Sequence, residues 1–163
     1  MDPYLAIASK RDERTYGDAP VPDDVRGRIL DGGRLSGSSK NRQRWEFVVV
    51  SGEARERLAE AVYAPENVRS AALVVAIVGE AGAFDAGRCA QNMMLAAWGD
   101  GVVSCPNGVR DPGVAAEICG GEVRAILTFG YPARQRDAAS RSAEEWSGSA
   151  NRKPLSELVR EVG

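Results

Sequence analysis

Leu35-Ser36-Gly37-Ser38-Ser39-Lys40-Asn41-Arg42-Gln43-Arg44-Trp45-Glu46-Phe47-Val48-Val49-Val50 is a short polar loop that runs directly into an apolar strand. Gly37, Ser38 and Ser39 are small enough to let a backbone approach a ligand closely. Asn41 and Gln43 carry amide donors and acceptors that suit a flat heteroaromatic ring. Trp45, Phe47 and Val49 then alternate as a half-buried strand that would hold the loop rigid. A plain turn before a strand draws on the same residues, because Ser, Gly and Asn are what turns use. The stretch by itself leaves both readings open.

Working outward, Ser51 can cap a helix whose Ala54, Leu58, Ala61 and Val62 share a face, and Pro65 breaks it. The unbroken run Ala71 to Val78 is short and apolar, which predicts a buried strand. Asp85 to Trp98 is apolar on most sides and predicts the central buried helix. Val102 to Cys105 reads as a short strand, Asp111-Pro112 opens a helix towards Ile118, and Val123 to Phe129 alternates into a last strand. Upstream, Val25, Ile29 and Leu30 make one helical stripe that stops at Gly32-Gly33, and Tyr4 to Lys10 reads as a short helix. Ala133 to Lys153 is polar and reads as irregular, with a final helix from about Pro154 to Val162. The sum is an α+β fold, a sheet flanked by helices, in a single domain over residues 1–163.

Composition removes whole classes of chemistry. The 163 residues are 44% hydrophobic and 27% charged, enough for one domain to bury a core without staples. No apolar run exceeds the eight residues from Ala71 to Val78, against the roughly 20 that span a bilayer. Met1-Asp2-Pro3 starts no signal peptide, so a cytoplasmic location and no membrane partner are expected. A net charge of −2 offers no basic excess for nucleic acid. Cys89, Cys105 and Cys119 are odd in number and lack C-x-x-C spacing, which suits reduced thiols. Histidine is absent, which removes Ser-His-Asp and Cys-His catalysis and the usual zinc sites. Chemistry must then come mainly from a cofactor, or from carboxylates, lysines and tyrosines.

Gly79-Glu80-Ala81-Gly82-Ala83-Phe84 follows a strand and precedes a helix, but Ala81 breaks the G-x-G-x-x-G spacing of a dinucleotide site. Lys10, Arg11 and Arg14 form a basic cluster containing Asp12 and Glu13, and Arg152-Lys153 a second. Each could be a solvated face, or the two could converge on one anionic group.

The opening stretch resembles the Ser-Ser-x-Asn-x-Gln-Pro-Trp-x-Phe segment of the nitroreductase family of FMN-dependent oxidoreductases, with Arg44 in place of the proline. Lys10-Arg11-Asp12-Glu13-Arg14-Thr15-Tyr16 resembles the family's Arg-Arg-Ser-x-Arg-x-Phe segment, Asp12 standing for the more usual serine. Asp85 to Ala97 resembles its central Asp-x-Gly-x-Ala-x-Gln-Asn helix. Gly101-Val102-Val103-Ser104-Cys105-Pro106-Asn107-Gly108 resembles its Gly-Leu-Gly-Ser-Cys segment. Gly130-Tyr131-Pro132 and Arg152-Lys153-Pro154-Leu155 resemble its closing elements.

The resemblance implies a nitroreductase-like fold, with a central mixed, mostly antiparallel sheet, in a homodimer that binds FMN at its interface. Residue by residue it makes Lys10 or Arg11 a phosphate ligand, Arg14 a flavin-edge donor, and Asp12 an acceptor for a ribityl hydroxyl. Gly37, Ser38, Ser39 and Asn41 would reach the partner's cofactor, Gly108 with Asn107 would place a donor near flavin N5, and Arg152 and Lys153 would contact the phosphate. No side chain acts as a catalytic group and no metal is implied. The function implied is transfer from NAD(P)H through FMN to an electron-poor acceptor, a quinone or nitroaromatic, in a ping-pong cycle. Alternatives within the fold are reductive dehalogenation, flavin fragmentation, heterocycle oxidation, or FMN binding without catalysis.

Overall fold

The computed structural model describes residues 1–163. They divide into two compact units, Arg11–Arg136 and a second made of Met1–Lys10 with Asp137–Gly163.

In the larger unit, β1 (Glu46–Val49), β2 (Leu73–Val78), β3 (Val103–Asn107) and β4 (Val123–Gly130) form an antiparallel sheet in the order β1-β2-β4-β3. All of β2 is buried, as its uninterrupted apolar sequence requires of a central strand covered on both faces. The register Phe47↔Ile77, Val49↔Val75 and Val75↔Leu127 aligns one set of side chains on one face. There α2 (Asp23–Arg34) and α5 (Ala83–Gly99) bring Ile29, Cys89 and Met93 against Val75, Leu127 and Phe129. The alternate set, with Val74, Ala76 and Ile126, meets Leu58, Val68 and Ala115 from α3 (Gly52–Glu60), α4 (Pro65–Arg69) and α6 (Pro112–Cys119). Full burial of each large aliphatic side chain contributes about 1.5–3 kcal/mol, so period-2 alternation in the strands decides which helix packs where.

Three expectations are corrected here. Pro65 does not merely break a helix: α3 ends at Glu60 and Pro65 opens α4, since its fixed φ and missing N–H suit a first helical position. β3 continues past Cys105 through Pro106 to Asn107, which an edge strand tolerates because the proline's lost donor faces away from the ladder. Ser51 is the N-cap residue of α3, yet its hydroxyl makes no capping bond.

The smaller unit holds α1 (Pro3–Ser9), α7 (Ala143–Gly148) and α8 (Leu155–Leu158). Asp2 caps α1 by accepting from the Tyr4 and Leu5 amides at 3.0 Å. The stretch that reads as irregular contains α7, opened by a capping box. Ser142 Oγ accepts from the Glu145 amide at 3.2 Å, and Glu145 Oε2 accepts from the Ser142 amide at 2.7 Å. The last helix is one turn only, leaving Val159 and Val162 exposed beyond it. No helix is long and apolar enough to cross a membrane.

Candidate functional site

The basic segment of the larger unit lies along the outer edge of β3. Asp12 forms a parallel bridge with Ser104, and the Glu13 amide donates to Ser104 O at 3.1 Å. Tyr16 pairs with Pro132, and the Gly17 amide donates to Tyr131 O at 2.8 Å. Glu13 is engaged by Arg136, whose Nη2 donates to its Oε1 at 2.9 Å. The segment is therefore an added strip on the sheet, held by backbone pairing at Asp12, Glu13, Tyr16 and Gly17, with Arg11 and Arg14 flanking the Asp12–Glu13 pair. Ser104 is fully buried, and its Oγ has no hydrogen-bond partner.

At the other end of β3, Asn107 is the last strand residue and Gly108 joins it to the Val109 bridge with Val62. The Asn107 side chain points inward: Nδ2 donates to Cys105 O and to Thr128 Oγ1, each at 3.1 Å, and Oδ1 accepts from Asn67 Nδ2 at 3.1 Å. Any ligand here meets Gly108 backbone rather than the Asn107 amide. Gly108 O accepts from the Tyr63 amide at 3.0 Å, and a Cβ on Gly108 would lie 3.0 Å from the Tyr63 ring. Tyr63 itself is 73% exposed beside Gly108.

Tyr16 joins the strip to this end of β3. Its hydroxyl lies 2.8 Å from Thr128 Oγ1. Burial pushes the phenol up to about 12, against an opposing contribution from the Thr128 hydroxyl. Arg14 and Asp12 act on the phenol from the strip with opposite signs, so both sit in its electrostatic neighbourhood.

The loop of residues 36–43 is fastened elsewhere, on the first half of α5. Ser39 donates its amide to Asp85 Oδ2 at 3.2 Å, and Asn92 Nδ2 donates to the buried Ser36 Oγ at 2.8 Å. Arg88 covers Gly37. The close approach expected at Gly37 thus exists, with a guanidinium as the neighbour. Ser38 organises the turn, its carbonyl accepting from Asn41 at 2.9 Å and its Oγ from the Gln43 amide at 2.9 Å. Lys40, Asn41 and Gln43 all have positive φ, at 54°, 52° and 49°. Non-glycine residues there cost on the order of 1 kcal/mol each, strain that the anchors on α5 must offset. Sequence reasoning does not single out Asp85, Arg88 and Asn92 individually. Their i, i+3, i+7 spacing on one predicted helix face is the available signal.

Lys10, Arg152 and Lys153 belong to the smaller unit. Lys10 is the C-cap residue of α1, and Arg152 and Lys153 are exposed just before α8. The thiols offer no nucleophile: all three cysteines are buried and form no disulfide, and burial pushes Cys89 and Cys119 up from the ordinary thiol value. No cluster of His, Cys, Asp and Glu could hold a metal ion.

Residues 7–82 match the sequence model of the nitroreductase family. No curated protein matches the chain. A protein from Desulfovibrio desulfuricans, described as a nitroreductase and solved in complex with FMN, is 25% identical. Its TM-score is 0.80, with 100% of this chain and 98% of that one covered. The NADPH:FMN oxidoreductase of Vibrio harveyi, complexed with NAD+, is 23% identical, with a TM-score of 0.81 over 96% of this chain and 75% of that one. A nitroreductase family protein of Clostridium difficile is 22% identical, with a TM-score of 0.81 over 98% of both chains. The chain is thus similar to the nitroreductase family, in sequence over residues 7–82 and in its α+β fold along nearly its whole length.

Proposed function

We propose that this protein is an FMN-dependent oxidoreductase that passes reducing equivalents from NAD(P)H to an electron-poor small molecule, a quinone or nitroaromatic. The observation that carries the reading is the strip beside β3: backbone pairing of Asp12 and Glu13 with Ser104 sets the segment that carries Arg11 and Arg14 along the strand that leads to Gly108. A flavin mononucleotide needs cations for a dianionic phosphate, polar groups for its ribityl chain, and backbone donors at the ring. The donor set fits. Arg11 supplies charge for the phosphate, Arg14 a donor for the flavin edge, and Asp12 an acceptor for ribityl hydroxyls. Gly108 presents backbone without a side chain. Lys10, Arg152 and Lys153 are proposed as additional phosphate cations.

When bound, FMN would supply the redox chemistry, hydride transfer from NAD(P)H and onward reduction of the acceptor, in a ping-pong cycle. The chain itself binds, orients and excludes water, so the missing histidine is no obstacle. The loop with Gly37, Ser38, Ser39 and Asn41 is proposed to complete the site of a second copy in a homodimer. It is held rigid on α5 in a strained shape, as a contact surface offered outward would be.

The visible spectrum tests the reading. Purified or FMN-reconstituted protein should show flavin bands that bleach with NADPH or NADH under anaerobic conditions and return when a quinone is added. A protein that neither carries nor takes up FMN overturns it, and tight flavin binding without bleaching leaves only a flavin-binding role.

A further inference from the structure

The side chains between the basic strip and Gly108 form a hydrogen-bonded chain whose donors converge from both ends on Thr128. Thr128, fully buried, donates its one hydroxyl proton to Cys105 O at 3.1 Å. Its Oγ1 must then accept both from Asn107 Nδ2, at 3.1 Å, and from the Tyr16 hydroxyl, at 2.8 Å. Asn107 Oδ1 is in turn filled by Asn67 Nδ2 at 3.1 Å, from a residue only 8% exposed. Both ends are pinned. Tyr16 sits in the strip with its ring where a Cβ on Gly130 would fall, 2.7 Å away, and Asn67 sits in α4, next to the Tyr63 that binds Gly108 O.

We propose that Asn67, Asn107, Thr128 and Tyr16 are positioning residues that fix the Gly108 amide relative to Arg11 and Arg14. This rests on the flavin reading, in which the two arginines hold one end of FMN and Gly108 faces its redox-active ring. The side chains of Asn107 and Thr128 are consumed by one another and by Cys105 O, so they act through the backbone they hold. A network of this kind, centred on the fully buried Thr128, is stiff, because losing a bond to Thr128 leaves a desolvated group. A donor held by it is placed before the flavin is reduced, and a placed donor weighs differently on the oxidised and reduced ring.

The test measures flavin affinity and midpoint potential in the wild type, Tyr16→Phe and Asn67→Ser. Tyr16→Phe removes one donor while Thr128 keeps Asn107, so it should fold. Asn67→Ser retains a hydroxyl donor in a smaller side chain. Apoprotein is titrated with FMN and with riboflavin by flavin fluorescence, and the potential of bound FMN is read by dye equilibration. Both variants should bind the two flavins more weakly by the same factor, since the phosphate contacts are untouched. The ratio of affinities for oxidised and reduced FMN should change about tenfold, equivalent to about 30 mV for a two-electron couple. Variants with lowered melting temperature but wild-type potential and flavin affinities would make the network purely structural and overturn the proposal. A wild-type protein that binds no FMN would overturn the flavin reading first, and this proposal with it.

Discussion

The guanidinium of Arg88 occupies the space a side chain on Gly37 would need: a Cβ there would lie 2.6 Å from Arg88 Nη2. The obstructing atoms are the far end of a flexible side chain, so Gly37→Ala should cost only about 0.5 kcal/mol of stability. Gly79 is different. Its φ is +115°, and a Cβ would lie 2.9 Å from the backbone oxygen of Arg44, which cannot swing away. Gly79→Ala should cost about 1–3 kcal/mol. Urea midpoints of the two variants check the order, and equal midpoints would contradict it.

The two basic clusters, if both serve the phosphate, should separate FMN from riboflavin. Each charge-assisted bond contributes about 1.5–3 kcal/mol, so two or more imply at least about a hundredfold weaker riboflavin binding. Arg152→Ala with Lys153→Ala should weaken FMN strongly and riboflavin little, and adding Arg11→Ala should narrow the gap further. Asp12→Ser, which removes a nearby negative charge, should leave FMN binding unchanged or tighter. Fluorescence titration at fixed salt decides. Equal losses for both flavins in the double variant would take the phosphate role away from Arg152 and Lys153.

The Tyr16 phenol, raised by burial from 10.0 to about 12, links stability to alkaline pH. The folded state favours the neutral phenol, so its contribution is complete below about pH 10 and is lost as pH rises to about 12, while the unfolded chain ionises. Two pH units at about 1.4 kcal/mol each make that loss about 2–3 kcal/mol. Denaturant unfolding between pH 9 and 12 should show wild type losing more than Tyr16→Phe by roughly this amount. Parallel profiles would mean the phenol is not differentially buried.

A homodimer should form at micromolar concentration with flavin bound. Light scattering that returns the single-chain mass of 17.4 kDa would contradict it. If the loop reaches the partner's cofactor, Asn41→Ala should weaken FMN without altering α5 packing, since the hydrogen bonds of Asn41 run to Ser38 and Gln43 and not to that helix.

How much is legible in the sequence depends on the range of the forces involved. The apolar run at residues 71–78 and the helix from Asp85 to Trp98 are readable because burial periodicity is written locally: the strand is buried from Leu73 to Val78, starting two residues later than expected, and the helix buries Ala86, Cys89, Ala90, Met93, Met94, Ala97 and Trp98. α7 escapes a composition-based reading although Ser142 and Glu145 carry the S-x-x-E spacing of a capping box, because the polar residues around them outweigh the cap signal. Pro65 can stop a helix or start one, and tertiary packing settles the choice, because Val68 is buried against the sheet.

By itself the sequence determined the central strand and the central buried helix, the motifs that resemble the nitroreductase family and their order, and the absence of histidine. Only the tertiary structure decided that Asn107 faces inward while Gly108 offers backbone, that Asp85, Arg88 and Asn92 hold the loop, and that Tyr16 ties the basic strip to Asn107 through Thr128. Those contacts join residues up to 112 positions apart. Hydrogen bonds have direction and reach about 3 Å, so no local pattern of residue types can say which distant partner will meet them once the sheet has set its register.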